Sequence, residues 1–359
     1  MATAIRKILA RAPSKLFSFC VKISDTGAVR HGSFKAAVLH ELKSPLKIDK
    51  FSTKKAKKGE VRINVRACGV NASDIQMSKG EWEKEVKLPF VPGYEICGEV
   101  AEVGSGVKDI STGDRVIALN KDKCFGFAEQ CSVPAQDVFK IPSSIDFIHG
   151  AALAETYSTA LLGLSRRAEL KEGQVILVTA AAGGLGLAVV DVAANVYKAK
   201  VIGVCSNEEK ATLVRDRGAW AALTYNPKDM QKTVKEVTNG KGVSVVFDTV
   251  GGEIFEESIK CAGHESKVVI AGFASHKVPK IIASTLLSSS ISLLGVSLAH
   301  YREVDPDVYR EIVLDAIDMC EQGLLKPFIS STVSLEDINK AIDMISQRKS
   351  TGKVIIKMS

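Results

Sequence analysis

Three features are missing from this sequence of 359 residues: a long apolar run, a dense cysteine framework and a strong excess of one charge. No apolar stretch approaches the roughly 20 residues that a bilayer-spanning helix requires, which argues against a membrane span. The eight cysteines are scattered and form no CxxC pair, so we expect them to be reduced and mostly buried. Ordinary globular composition also excludes wholesale disorder.

Acidic residues are absent from the first 24 positions. Five basic residues occur there, and apolar side chains such as Ile5, Leu9 and Leu16 can line one face of a helix between them. This pattern predicts a mitochondrial transit peptide over residues 1–34 and a location in the matrix. The alternative is a disordered basic tail on a cytosolic protein. Without the leader the net charge falls to about +2, which argues against nucleic-acid binding.

The remaining chain is long enough for two hydrophobic cores. Residues 35–155 contain short β-rich runs broken by turn residues, which predicts a mainly antiparallel β domain. Residues 156–298 alternate apolar strands with helices, the pattern of βαβ units and a parallel sheet. Residues 299–359 differ again and are expected to return to the first domain. The predicted helices of the middle segment span residues 185–196, 208–217, 229–238 and 253–261.

A glycine-rich turn follows the first strand of the middle segment. Ala181, Gly183 and Gly186 occupy the G-x-G-x-x-G positions, and a helix is predicted to start there. Small residues at these positions let a pyrophosphate approach the backbone, and the helix N-terminus offers it N–H groups. An ordinary strand-to-helix turn is the alternative. We expect the dinucleotide to contact Ala182, Gly183, Gly184, Leu185 and Gly186.

The tip of the second strand indicates which dinucleotide binds. An NAD site carries an acidic side chain there, which accepts from the ribose 2′-hydroxyl. This chain has Cys205, Ser206 and Asn207, with Lys210 one turn further on. Neutral donors and a lysine accommodate a 2′-phosphate, so NADP(H) is the predicted cofactor. Glu208 and its neighbouring glutamate speak against this, unless they face solvent in the first turn of the helix.

Five motifs appear in an order that resembles the medium-chain dehydrogenase/reductase superfamily and its zinc-free quinone oxidoreductase group. They are ACGVNASDIQMSKG, PFVPGYEICGEVAEVG, GDRVIA, AAAGGLG and TGKVIIK. The resemblance covers nearly everything after residue 34. It implies the α/β fold class: a Rossmann doubly wound parallel sheet plus a GroES-like, mainly-β catalytic domain, with substrate and nicotinamide in the cleft between them.

The resemblance also implies roles for single residues. Asn71 and Asp74 would lie beside the nicotinamide, with Asn71 donating toward the substrate carbonyl; the alternative is a loop that satisfies its own backbone. Thr159 and Phe273 would face the nicotinamide. The residues implied near the 2′-phosphate are Ser206, Lys210 and Tyr225. For Tyr225 a half-buried strand aromatic is the alternative.

Zinc-dependent relatives hold their catalytic metal at positions that match Asn71, Tyr94 and Glu155. None of these three supplies the thiolate or imidazole that such a site requires, so no metal is expected. Without a metal to polarise an alcohol, a substrate that is already electrophilic, such as a quinone or enone, is the favoured acceptor. The proton donor is unassigned, with Tyr94, Tyr157 and solvent as candidates.

The sequence thus predicts an NADPH-dependent, zinc-independent oxidoreductase that reduces a quinone or another conjugated carbonyl. A reductase of enoyl thioesters or lipid enones is the first alternative. An NADPH-sensing or RNA-contacting protein without turnover is the second. The apolar run ISLLGVSL is expected at a sheet edge, where it would pair with a second copy in a homodimer.

Overall fold

The computed structural model of the chain describes residues 32–82 and 85–358, apart from the side chains of residues 227 and 228. The predicted leader lies almost entirely outside these ranges. Among the described helices, none combines the length and apolar character that crossing a bilayer requires.

The first part of the chain is mainly β structure. Its elements are β1 (Ser33–Val38), β2 (Lys47–Ser52), β3 (Glu60–Val70), α1 (Ala72–Lys79), β4 (Glu95–Val103), β5 (Arg115–Leu119), β6 (Gln130–Pro134) and β7 (Val138–Lys140). Strand β3 is the longest, and alternation of its side chains places Val61, Ile63 and Val65 on a buried face. It pairs antiparallel with both β4 and β6, which makes it the centre of this sheet.

The middle part alternates strands and helices. Its elements are α2 (Phe147–Gly150), α3 (Ala154–Leu161), β8 (Val175–Val178), α4 (Gly184–Asp191), β9 (Lys200–Cys205), α5 (Glu208–Asp216), β10 (Ala221–Thr224), α6 (Pro227–Val237), β11 (Val243–Asp248), α7 (Gly252–Ile259), β12 (Ala262–Ile270), α8 (Ala283–Ser289) and β13 (Ser292–Gly295). The six strands are parallel in the order β10-β9-β8-β11-β12-β13. That order reverses direction at β8, as in a doubly wound dinucleotide-binding sheet.

The final part returns to the first sheet. Its elements are α9 (Leu298–Val304), α10 (Pro306–Glu321), β14 (Ile329–Ser334), α11 (Ile338–Ser346) and β15 (Lys353–Lys357). Strand β15 pairs antiparallel with β3 and parallel with β14. Arg302 in α9 adds a polar link, because its Nη2 donates to the buried Asp137 carboxylate at 2.6 Å. The C-terminal strands therefore complete the sheet that β3 to β7 form, whereas β1 and β2 pair with each other in a separate two-stranded sheet.

The expected α/β architecture is confirmed. The predicted helices begin and end within two residues of the observed ones where they meet coil, although α4 is followed by a wider helical turn at residues 192–196. The run ISLLGVSL supplies β13, which lies at the edge of the parallel sheet. The division of the chain at residues 155 and 298 stays a prediction.

Candidate functional site

The turn between β8 and α4 has the close packing that the glycine pattern predicts. A Cβ on Gly186 would lie 2.2 Å from the carbonyl oxygen of Ala180, so no larger residue fits there without movement. Gly183 is the N-cap of α4, and a Cβ there would meet only the same carbonyl oxygen, at 3.3 Å. The backbone at the start of α4 is thus open, and its free N–H groups suit an anion.

The C-terminal strand reaches this turn. The backbone N–H of Gly352 donates to the carbonyl oxygen of Ala182 at 2.8 Å, and Gly352 forms a parallel bridge with Gly183. The side chain of Lys353 passes beside Gly184, where a Cβ would approach its Cδ to 3.1 Å. Residues about 170 positions apart in the chain therefore build one side of the cofactor turn together.

The side chain of Lys210 and the backbone of Arg348 meet near the tip of β9. Asn207 caps α5 by accepting from the backbone N–H of Lys210, and the Lys210 Nζ donates to the carbonyl oxygen of Arg348 at 2.7 Å. The Arg348 guanidinium is exposed and donates to the carbonyl oxygen of Ala274, in the loop after β12, at 3.3 Å. Ser206 is exposed beside them. This corner offers donors and positive charge to an anionic group.

Glu208, the glutamate that argued against a bound 2′-phosphate, is paired with an arginine. Glu208 is 70% exposed and forms an ion pair with Arg215, and this contact lowers the pKa of its carboxyl. Its carboxylate also accepts from Thr224. Glu208 is therefore exposed and engaged by Arg215 of its own helix and by Thr224 at the end of β10.

Tyr225 lies at the same edge of the sheet, because its backbone N–H donates to the carbonyl oxygen of Cys205 at 2.7 Å. Its phenol oxygen is buried and has no hydrogen-bond partner among the described residues. Burial raises the pKa of this phenol, with three glutamates of α7 adding to the effect, so the group keeps its proton and can donate. A buried donor without a partner is a group that a bound ligand can satisfy, and contact of Tyr225 with the 2′-phosphate stays a prediction.

Asn71 and Asp74 meet at the start of α1. Asp74 is 1% exposed and accepts from the backbone N–H groups of Asn71 at 2.8 Å and Gly93 at 2.9 Å. Burial raises the pKa of this carboxyl to about 7, although both N–H groups and two lysines oppose the rise. Its two hydrogen bonds join the start of α1 to the loop before β4. Asp74 therefore shapes the loop that presents Asn71.

The Asn71 amide belongs to a buried ionic network. Its Nδ2 donates to Glu95 at 3.0 Å, and its Oδ1 accepts from Lys353 at 2.7 Å. Lys353 and Glu95 form an ion pair at 2.5 Å, and their side chains are 5% and 0% exposed. These contacts determine which end of the amide is the donor. One Nδ2 hydrogen remains available for a ligand carbonyl.

A second ion pair lies next to this network. Glu155, at the start of α3, donates its backbone N–H to Glu95 at 2.9 Å, and its carboxylate accepts from Lys121 at 3.0 Å. The Tyr94 hydroxyl shares a hydrogen bond with Ser73 at 2.8 Å. Within the described residues, no group of three His, Cys, Asp or Glu side chains could hold a metal ion. The positions that match zinc ligands in relatives are engaged with other side chains here.

Tyr157 is not a proton donor of this site. It is 3% exposed and its phenol donates to the buried carboxylate of Asp191 at 2.7 Å, so the sequence-based candidate is wrong. Thr159 lies on the same helix and is 8% exposed. Phe273 follows β12 and is 36% exposed. Nearby, His276 and Glu81 approach to 3.3 Å, which brings the loop after β12 against the end of α1.

The site thus contains residues that the motifs indicated and others that they did not. The turn residues gather at the start of α4, Ser206 and Lys210 gather at the tip of β9, and Asn71 and Asp74 lie together. Sequence reasoning missed Lys353, Glu95 and Arg348. Two of them sit inside motifs that served only as family landmarks, and their roles depend on contacts across more than 250 residues. No local signal reveals such contacts.

Comparisons with known proteins identify the family of the chain. Residues 57–143 match the family model described as alcohol dehydrogenase GroES-like domain, and residues 184–318 match zinc-binding dehydrogenase. The quinone oxidoreductase-like protein 2 homolog of Nematostella vectensis is 44% identical over 326 residues, covering 90% of this chain and 89% of the relative. The Mus musculus quinone oxidoreductase-like protein 2 is 37% identical, covering 92% of this chain and 94% of its own length.

Solved structures show the same fold. A mycobacterial protein solved in complex with NADPH superposes with a TM-score of 0.83 at 29% identity, covering 90% of this chain and 99% of its own. The Escherichia coli quinone oxidoreductase, also solved with NADPH, gives a TM-score of 0.82 at 26% identity, covering 91% and 100%. The chain belongs to the medium-chain dehydrogenase/reductase superfamily and, within it, to the family of quinone oxidoreductase-like 2 proteins.

Proposed function

We propose that the chain is an oxidoreductase that binds NADP(H) and passes hydride to a quinone or another conjugated carbonyl without zinc. The observation that carries the proposal is the position of an open glycine turn beside the buried Asn71 network, with Lys353 in contact with both. Both relatives solved with NADPH share the fold that produces this arrangement.

Different residues of the cofactor site would bind different phosphate groups of the dinucleotide. N–H groups at the start of α4 would hold the pyrophosphate, since Gly183 meets no side chain and the one side chain beside Gly184 is that of the cationic Lys353. Lys210, Arg348 and Ser206 would hold the 2′-phosphate through charge and hydrogen bonds. When bound, NADPH supplies the hydride.

On the substrate side, the chain provides a donor of defined orientation. Lys353 holds Oδ1 of Asn71 and Glu95 holds one hydrogen of Nδ2, so the second hydrogen can bind a carbonyl oxygen. Packing around this group excludes water from the side of β4, because Glu95 and Asp74 are fully buried. Such a preformed donor favours the charge that develops on oxygen during reduction.

The absence of zinc is supported by the chemistry of the donor set. Asn71 and Glu155 offer an amide and a single carboxylate, and both are hydrogen-bonded to charged neighbours. Zinc sites use three protein ligands, mostly thiolates and imidazoles, besides the open position. Measurement of zinc in the purified, active protein checks this part: less than a tenth of an equivalent is expected, and loss of activity on chelation would contradict it.

The function is tested with protein lacking residues 1–34. Oxidation of NADPH is followed with a panel that contains quinones, alkenals and enoyl-CoA thioesters, and faster turnover with quinones is expected. Faster turnover with enoyl-CoA or lipid alkenals would favour the alternative reductase. Tight NADPH binding without oxidation by any acceptor would favour a sensor.

A mitochondrial location belongs to the same proposal. Its support is the basic, acid-poor and amphipathic character of the first 34 residues. Fusion of these residues to a fluorescent protein is expected to direct it to the matrix. A diffuse cytosolic signal would favour the alternative of a basic tail.

A further inference from the structure

Lys121 is a second cation in the substrate region, and the mechanism above does not use it. It follows β5, and its Nζ lies 3.0 Å from a carboxylate oxygen of Glu155. The same Nζ lies 5.1 Å from the ring centre of Tyr94 and 5.6 Å from that of Trp82. Two aromatic faces and one carboxylate therefore hold the ammonium in place.

Lys121 and Lys353 differ in what they can still bind. Lys353 is 5% exposed and is engaged by both Glu95 and Asn71. Lys121 is 24% exposed, and Glu155 is its hydrogen-bond acceptor in the part of the chain that the structure describes. An ammonium has three donors, so Lys121 keeps donor capacity, and about a quarter of its side chain is open to solvent.

Lys121 also lies within electrostatic range of the Asn71 loop. The Tyr94 ring that packs against Lys121 carries the hydroxyl that is hydrogen-bonded to Ser73, in the first turn of α1, so the ammonium lies near the start of that helix. A chain of hydrogen bonds also connects Lys121 to Asn71. Lys121 donates to Glu155, and Glu95 accepts from both the backbone N–H of Glu155 and the side-chain amide of Asn71. The two donors, Asn71 and Lys121, thus flank one region.

We propose that the Lys121 ammonium is a catalytic residue that binds the oxygen of the conjugated carbonyl, stabilises its negative charge and gives it a proton. This inference rests on the proposed function and deepens it, because it identifies the proton donor. The flat ring of Trp82 lies at the same position, is only partly buried and suits a planar conjugated substrate.

The step balances without a further reagent. Hydride from NADPH forms a new C–H bond on the substrate, and the displaced π electrons move to the carbonyl oxygen. That oxygen takes a proton from Lys121 as the N–H bond breaks, which leaves a neutral amine. Water then returns a proton to the amine, so the overall reaction consumes one NADPH and one proton.

The surroundings of Lys121 keep it protonated. Burial lowers the pKa of the ammonium, but the charge and hydrogen bond of Glu155 outweigh this, and Asp74 and Cys124 add to the rise. The Tyr94 phenol, also packed against it, keeps its proton because burial raises its pKa. Phenolate and enolate oxygens are bases of about the same strength as an amine, so a charged lysine can first hydrogen-bond such an oxygen and then protonate it.

The first experiment uses 4-nitrophenol, which absorbs visible light only as the phenolate, and needs no cofactor. Bound to the wild-type protein, the probe is expected to ionise at lower pH than in water. With Lys121→Met, the ratio of phenolate to phenol at a given pH is expected to fall at least about tenfold, because an adjacent cation is lost. Lys123→Met is the matched control, since Lys123 is 41% exposed and pairs with Glu60 instead.

The second experiment measures quinone reduction. Lys121→Met is expected to lower kcat by roughly a hundredfold with unchanged NADPH affinity, whereas Lys123→Met leaves both unchanged. Wild-type activity that persists in Lys121→Met, or a probe that neither binds nor changes its ionisation, would overturn the inference alone. A wild-type protein that oxidises no NADPH with any acceptor would overturn the proposed function, and this inference with it.

Discussion

At the scale of single residues, the site is a set of buried charges whose partners come from distant parts of the chain. Lys353 is the clearest case, because it joins the cofactor turn, the Asn71 amide and Glu95. A buried ion pair of this kind contributes little net stability, since desolvation of both charges offsets their attraction. Its value is that it fixes the orientation of an amide.

Lys353→Met is expected to destabilise the protein by about 3–5 kcal/mol, because the carboxylate of Glu95 would remain buried without a counter-charge. Urea denaturation measures the loss. Glu95→Gln combined with Lys353→Met should recover much of it, since no charge is then left buried. A double variant as unstable as the single one would contradict this explanation.

Asp74 is expected to make stability fall as pH rises. Its pKa is about 7 in the folded protein and near the ordinary 3.8 when unfolded, so between these values the folded state holds the proton more tightly. Its favourable contribution is complete below pH 4 and is lost toward pH 7, a change on the order of a few kcal/mol. Denaturation of wild type and Asp74→Asn across this range should show a flatter profile for the variant, and parallel profiles would contradict the assignment.

At the scale of elements, two glycines of the turn before α4 have different purposes, one in packing and one in cofactor binding. Gly186 is required by packing, because a Cβ would overlap the carbonyl of Ala180 at 2.2 Å. A Cβ on Gly183 would lie 3.3 Å from that carbonyl oxygen, and Gly183 has a backbone conformation that any residue adopts. The function of Gly183 is therefore to leave the N-terminus of α4 accessible.

This difference predicts opposite results for two alanine variants. Gly186→Ala should lower the free energy of unfolding by about 1–3 kcal/mol, as overpacking does. Gly183→Ala should remain nearly as stable but bind NADPH roughly tenfold more weakly, since one obstructed phosphate contact is worth about 1.4 kcal/mol. Thermal unfolding and fluorescence titration measure the two effects. An equal loss of stability in both variants would contradict the assignment of Gly186 to packing and Gly183 to cofactor binding.

Secondary structure was predictable where the pattern is local. Apolar strands alternating with helices marked the elements of the middle segment, so α5 was predicted at residues 208–217 and lies at Glu208–Asp216. The last segment was expected to return to the first domain, but the pairing of β15 with β3 was not predicted, because each strand is compatible with several neighbours. The same limit explains why Lys353 was overlooked.

At the scale of the whole molecule, the edge of the parallel sheet predicts a homodimer. Strand β13 ends the sheet, and the segment before it exposes Leu287 at 81%, Val278 at 71% and Ile282 at 69%. An apolar edge of this kind favours pairing with a second copy. Sedimentation at micromolar concentration should give twice the 38.5 kDa chain mass, and Leu287→Asp should weaken the association. A monomer at every concentration would contradict it.

The molecule as a whole was predictable because five motifs occur in one order, and they imply both sheets together. The substrate was not predictable from the sequence, because the residues that surround Asn71 come from four separate segments of the chain. Specificity of this kind resides in the loops that such folds carry, and not in the fold.

The central claim is that this chain holds a dinucleotide with a 2′-phosphate at Lys210 and Arg348. The most direct test is titration of the wild-type protein with NADPH and NADH, followed by nicotinamide fluorescence. We predict that NADPH binds at least about tenfold more tightly and that Lys210→Ala removes most of this preference. Equal or tighter binding of NADH, or no binding of either dinucleotide, would contradict the account.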